Sequence, residues 1–564
     1  MATWKRWILP FADSPRELLT ALRLAEGEVL YRDVTYPYGP VAPYLDALIL
    51  RIFGKTVEAL VFWRVLLSFL AAEAIRRLAS RLLAPLSGPP RETGSAAIAG
   101  LVVAACFFQG QGGTYPFPYS VAALVGTAGI WWAVELALGA GSHGRTLAAG
   151  AVVGLAAASK IEYTMAAVGP LLALFLRRPR REALGASALA LAIPAAAYLL
   201  PFTVLSVEHL AVYGPLIAGR TPIEWKTFYA EVFWGGTARE FVSGSFLGIL
   251  WPSGVLFGAA GLAGHVTGSI GPSLRKWLTG LFFGLGALAA WRAPGASELH
   301  VLMPLGIVAF GIDFVRFLRN GAGRYARSGE VACLAVGLAM LPAVLRQPFF
   351  FLVNVYAAFS APLAMTVAIA FLLRRARQAA IVAAFVAGIA GAQMLSRVEY
   401  FRAGPWSAVS FPRGSIVLRE WDARLLTALV DAVERTTPRD SYVAGFPEGG
   451  LVLFLTGRRS PFRDTQFLQG VQNGLAEAQM IDALRTKDVR AAFVVEAPTF
   501  LAGPLPFGEG YLTSFRAELD RRFLPVARFG PRTPGERWGP RNASAVFFLP
   551  TRDAGTIPEQ RFPP

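Results

Sequence analysis

Of the carboxylates that precede the first long apolar run of this chain, three stand out, Asp13, Glu17 and Asp33, with Arg16 and Arg32 directly beside two of them. A carboxylate held near an apolar boundary can take a proton from a hydroxyl while that hydroxyl attacks carbon. A guanidinium there can hold or neutralise an anionic group, above all a phosphate. The segment 26–44, EGEVLYRDVTYPYGPVAPY, surrounds Arg32 and Asp33 with Tyr31, Tyr36 and Tyr38, a polar loop suited to a binding mouth. Further along, Lys160, Glu162, Arg292 and His300 interrupt or end apolar runs, where charge is costly and by default functional. Each of these has a plainer reading. Asp13 or Ser14 could cap a helix that opens on Pro15 and lies on the membrane face, leaving Arg16 and Glu17 in solvent. Asp33 could simply pair with Arg32, Lys160 could pair with Glu162, and Arg64 could snorkel out of the first span.

The elements that must position these residues are mostly apolar. The 564 residues are 54% hydrophobic and 16% charged, with a mean hydropathy of +0.47, far above a soluble globular chain. Apolar runs long enough to cross a bilayer fall near 57–80, 94–109, 119–139, 146–159, 162–176, 184–206, 241–264, 277–291, 300–317, 329–345, 354–373 and 378–395. The sequence thus predicts a polytopic α-helical membrane protein of about twelve spans over 57–396. An outer loop with surface helices precedes them over 1–56, and a small α/β domain follows over 397–564. The net charge of +17 is explained by arginines between spans and anionic headgroups, without nucleic acid. Cys106 and Cys333 lie in apolar runs, which excludes a disulfide framework and a cysteine metal site. His143, His209, His265 and His300 are scattered. Acidic residues could hold a divalent cation, but no ligand spacing indicates one.

Arginines orient the stack. Arg76, Arg77, Arg81 and Arg91 follow the first span, and Arg177, Arg178, Arg180 and Arg181 follow the fifth. Arg316, Arg319, Arg324 and Arg327, then Arg374, Arg375 and Arg377, fall on the same side when spans alternate. The positive-inside rule makes that side cytoplasmic, so the 26–44 loop and everything after 396 face outward. Twelve spans with both flanks outside would place Met1 outside. MATWKRWILPFA resembles the tail of a helix, so a further span ahead of it, thirteen in all, is expected; one miscounted short span is the alternative.

After residue 396 apolar runs shrink to strand length. LLTALVDAVERT, AQMIDALRTKDV and FRAELDRRF read as helices. SYVAGF, RAAFVVE, FLPVARF and SAVFFLP read as strands. That alternation predicts an α/β domain with a largely parallel sheet. It carries no glycine-rich phosphate loop and no Ser-His-Asp or Cys-His set, so it is expected to cover the bundle or help bind a substrate.

As a unit, D-x-x-R-E-L, G-E-x-L-Y-R-D-V, Y-G-P, P-Y and F-G ahead of a span containing Arg64 resemble the first outer loop of bacterial GT-C superfamily glycosyltransferases. That group is similar to the protein O-mannosyltransferases and the lipid A aminoarabinose transferase. The Lys160-Ile161-Glu162 interruption and FLTGRRSPFRD in the tail extend the resemblance over nearly the whole chain. Where the family carries an Asp-Glu pair this chain has Asp13-Ser14. The resemblance implies a bundle of about thirteen spans in the bacterial inner membrane with a periplasmic C-terminal domain. It implies inverting transfer of a sugar from a polyprenyl-phosphate donor to a lipid, glycan or protein acceptor. Asp13, then Asp33, would be the catalytic base, with Arg16, Glu17, Arg32, Tyr38, Lys160, Glu162, Arg292 and His300 binding substrate. A secondary transporter would also have a dozen spans and buried charges, but no repeat relates the two halves. A non-catalytic envelope-assembly protein is the third reading.

Overall fold

The computed structural model describes residues 14–84, 88–102, 121–139, 142–160, 162–199, 271–292, 302–320, 366–373, 379–467, 474–496, 507–530 and 544–552, with isolated positions besides. Helix α1 (Ser14–Ala25) is the first described helix, followed by α2 (Val41–Phe53), α3 (Val57–Leu82) and α4 (Pro89–Val102). The membrane part continues with α5 (Val121–Leu138), α6 (His143–Ser159), α7 (Glu162–Ala166), α8 (Val168–Arg177) and α9 (Arg180–Leu199). It ends with α10 (Pro272–Arg292), α11 (Leu302–Asn320) and α12 (Ala379–Ala403).

Helix α3 shows how these elements divide lipid from core. Thr56 caps it, accepting from the Ala59 amide at 3.4 Å. Phe62, Leu66 and Phe69 recur at helical spacing and are exposed, while Leu67, Ala71, Ala74, Ile75 and Leu78 are buried in the bundle. On α2 the row Tyr44, Leu48 and Ile52 is likewise exposed. Apolar rows of this kind belong against acyl chains, and the chain is a membrane protein.

Among the described residues, three helical stretches are long and apolar enough to cross a membrane: Val121–Leu138, Arg180–Leu199 and Ala379–Ser396. That is fewer than the twelve runs read from the sequence. The runs at 57–80, 146–159, 162–176, 277–291 and 300–317 are helical, but charged, interrupted or short within their helices. Those at 94–109, 241–264, 329–345 and 354–373 lie partly outside the described residues. The fourth and fifth runs meet at Lys160, where α6 ends in extended backbone before α7.

The C-terminal unit begins with a hairpin, β1 (Trp406–Phe411) and β2 (Gly414–Arg419), in which Phe411 pairs with Gly414. Gly414 closes the two-residue turn at φ 124°, where a side chain would be strained. Then come α13 (Glu420–Thr436), β3 (Tyr442–Phe446), α14 (Gly450–Thr456), α15 (Gly474–Thr486), β4 (Val489–Glu496), α16 (Thr513–Arg522), β5 (Phe523–Phe529) and β6 (Ser544–Pro550). The four-stranded sheet has the order β3-β4-β6-β5. Only β3 and β4 run parallel; β6 is antiparallel to both β4 and β5. The expectation of a largely parallel sheet is therefore corrected to a mixed one. A parallel pair needs a crossover, which α15 supplies between β3 and β4. Between β5 and β6 the segment GPRTPGERWGPRNA has no apolar period from which to build one.

Helix α1 is buried almost throughout, which corrects the expectation of a helix lying on the membrane face with Arg16 and Glu17 in solvent. Leu18, Leu19 and Leu22 share one core with Leu426, Leu429, Leu451 and Phe454 of the C-terminal unit. The contact is close at Gly450, where a Cβ would stand 2.6 Å from the Pro15 carbonyl oxygen.

Candidate functional site

Helix α1, the loop after it, the end of α6 and the C-terminal unit meet around Tyr38. Arg16 is 5% exposed and Glu17 2%. The Arg16 guanidinium donates to Glu17 Oε1 from Nη2 at 3.0 Å and to Gln466 Oε1 from Nη1 at 2.7 Å. Gln466 in turn donates to Glu448 Oε1 at 2.7 Å, so the C-terminal unit fixes the arginine's second edge. The Tyr36 hydroxyl donates to Glu17 Oε2 at 2.8 Å. Burial first, and then Glu17, holds the Tyr36 phenol protonated well above its ordinary range.

Tyr38 carries the cations. Arg16 Cζ lies 5.4 Å and Lys160 Nζ 4.9 Å from its ring centroid, both within cation–π range. Lys160 is 7% exposed although it ends a membrane helix. The loop is pinned there by Gly39, whose amide donates to the Ser159 carbonyl at 3.0 Å. A Cβ on Gly39 would overlap the Ala158 carbonyl, so this approach requires glycine. Tyr31 donates to the Tyr38 carbonyl at 2.5 Å and packs the loop from within.

Asp33 sits on the outer side of the same loop. Its carboxylate accepts from the Val29 amide at 2.8 Å and from Arg32 at 2.7 and 2.9 Å. The Arg32 hydrogen bond is the main reason its pKa lies below the usual carboxylate range. Arg23 donates to the Asp33 carbonyl at 2.6 Å, to Glu28 at 2.6 Å and to the Phe462 carbonyl at 2.8 Å. Thr35 donates to Asp464 at 2.7 Å, a carboxyl raised by burial. The loop is thereby tied to residues 462–464 of the C-terminal unit.

The structure brings Arg16, Glu17, Tyr38 and Lys160 together and places Arg32 and Asp33 along the same loop. Asp13 and His300 lie outside the described residues, as do the side chains of Glu162 and Arg292. Arg64 does not snorkel but pairs with Asp46 at 3.3 Å. Asp46, missed in the sequence, is fully buried, and burial raises its pKa to about 7 against the opposing pull of Arg64. A lone acid inside the apolar run PYLDALIL was the available signal. Gln466 and Glu448 left none. Among the described residues, no group of three or more His, Cys, Asp or Glu side chains could hold a metal ion.

No protein-family model and no curated protein matches the chain. Among solved structures it is similar to the oligosaccharyltransferase of Archaeoglobus fulgidus in the apo form. The TM-score is 0.44 at 15% identity, over 87% of this chain and 66% of that one. It is also similar to ArnT from Cupriavidus metallidurans bound to undecaprenyl phosphate, with a TM-score of 0.40 at 11% identity over 97% and 95% of the two chains. The apo state of the same ArnT gives 0.38 at 12% identity, over 96% and 94%. The chain spans about two thirds of the archaeal protein, 66% of its length. At these scores and identities the likeness assigns no residue a role.

Proposed function

We propose that the chain is a membrane glycosyltransferase that moves a sugar from a polyprenyl-phosphate donor to a lipid, glycan or protein acceptor at the outer face. The observation that carries this reading is the convergence of two buried cations, Arg16 and Lys160, on the Tyr38 ring. A buried cation pair at the end of a membrane helix suits a phosphate whose lipid tail remains in the bilayer. In the step proposed, the acceptor oxygen attacks the anomeric carbon on the face opposite the lipid phosphate, with inversion. The carbon–oxygen bond to phosphate breaks, and its electron pair leaves with the polyprenyl phosphate, whose growing charge Arg16 and Lys160 offset. The acceptor proton passes to a carboxylate. Asp13 is the proposed base, next in the chain to Ser14 of α1. Asp33, engaged by Arg32 and the Val29 amide, is the second candidate. Glu17 holds Arg16 in place, and Arg292, His300 and Glu162 are proposed to line the donor's sugar.

The test is release of polyprenyl phosphate by the purified protein from a panel of polyprenyl-phosphate hexoses and pentoses. Lys160→Gln is expected to lower turnover by about 10²–10³-fold. No release from any donor by the wild type removes the reading, and undiminished turnover in Lys160→Gln removes the phosphate site.

A further inference from the structure

At the other ends of α3, α5 and α6, three arginines from three segments converge on one residue, Gly139. Arg81, in the last turn of α3, donates from Nη2 to Glu135 Oε1 at 2.6 Å. Arg178, after α8, donates from Nη2 to the Gly139 carbonyl at 2.5 Å. Arg145, in the first turn of α6, comes so near that a Cβ on Gly139 would lie 2.6 Å from its Nη2 and 3.3 Å from that of Arg81. Helix α6 runs from this cluster to Lys160 and is 17 residues long, so about 25 Å separates the cluster from Tyr38 and its cations.

Positive-inside bias explains why arginines lie on this side, but not why three of them crowd one backbone position. The carbonyl end of α5 accounts for Arg178, and Glu135 accounts for Arg81. Arg145 adds a third positive charge, and Glu135 is the one carboxylate paired within the cluster among the described residues. Among the described residues the buried Nε donors of Arg145 and Arg178 have no acceptor, an arrangement that an anion would satisfy. Apolar side chains flank Arg178 in sequence on both sides, with Phe175 44% and Leu184 59% exposed. A phosphate there would thus meet guanidinium groups while its substituents met apolar surface.

We infer that Arg81, Arg145 and Arg178 around Gly139 bind the phosphodiester headgroup of an anionic membrane phospholipid. This is separate from the donor site and does not depend on its chemistry. The experiment is native mass spectrometry of the full chain released from detergent containing equimolar phosphatidylglycerol and phosphatidylcholine. Wild type is expected to retain phosphatidylglycerol preferentially. Arg145→Gln should weaken that retention about fivefold, the effect of one basic group at an anionic surface. Arg145→Lys, which keeps the charge, should lose less than Arg145→Gln. Arg76→Gln, on the same side but paired with Glu73, should bind as wild type does. Equal retention of the two lipids, or Arg145→Gln and Arg145→Lys both binding like wild type, overturns the inference. So does inorganic phosphate displacing phosphatidylglycerol at equal concentration, which would make the ligand a soluble anion.

Discussion

The pH response of the first loop turns on Asp46. Its carboxyl is wholly buried on α2, 3.3 Å from Arg64 and within the field of Glu17. Burial lifts its pKa from the ordinary 3.8 to about 7. An acid raised in this way binds more protons folded than unfolded, so the protein gains stability as pH falls. That gain is complete below the unfolded value of 3.8 and is lost as pH rises towards about 7, above which stability no longer changes on its account. A shift of about three units corresponds to about 4 kcal/mol across the window. The attraction of Arg64 is already contained in the shifted value, so this is the net cost of ionising the folded pair. Asp46→Asn keeps the shape and removes the titration. Thermal unfolding midpoints of wild type and variant, taken in one detergent at fixed salt from pH 4 to 8.5, should coincide at the acid end. They should separate steadily towards neutrality, with the variant the more stable. A gap that does not change with pH would refute the reasoning. So would a variant less stable at pH 8, since the folded carboxylate would then be ionised and stabilised by Arg64.

Further outcomes concern this loop and the residue ahead of α1. Gly39→Ala should force the loop off the Ala158 carbonyl and break the Gly39–Ser159 hydrogen bond, costing about 1–3 kcal/mol; an unchanged unfolding midpoint would show the approach to be loose. If Asp13 is the base, Asp13→Asn should lower turnover by about 10²–10⁴-fold while donor binding persists. Asp33→Asn should cost less because its carboxylate serves Arg32 and the Val29 amide, and the reverse ranking in single-turnover assays would exchange their roles.

What could be read from the sequence was whatever depends on near neighbours. The helix opening at Ser14-Pro15 and the four strands after residue 440 were legible because capping and apolar period are local signals. The residues that cluster around Tyr38, namely Arg16, Glu17 and Lys160, stand out in the sequence because charge and aromatic hydroxyls are scarce beside apolar runs. Their arrangement was not legible. Gln466 meets Arg16 across 450 positions, and no local pattern encodes that pairing. The direction of β6 was missed for the same reason, since alternation of helix and strand is silent about which strand a chain end joins. Nor does amphipathicity say what covers an apolar face. The leucines of α1 would suit lipid as well as they suit Leu451 and Phe454.

The shared core of α1 and the C-terminal unit also sets a timetable for biogenesis. A ribosome makes about 5–20 residues per second, so the 450 positions between Arg16 and Gln466 take on the order of 20–90 s to synthesise. Throughout that interval the leucines of α1 have left the translocon without their final partners, and every intervening helix must be inserted before those partners exist. The nascent chain therefore depends on the bilayer surface or a chaperone to shield α1, and the cluster around Arg16 is incomplete until Gln466 has been made. The core around α1 closes only with β6, which supplies Phe547 and Leu549 to it.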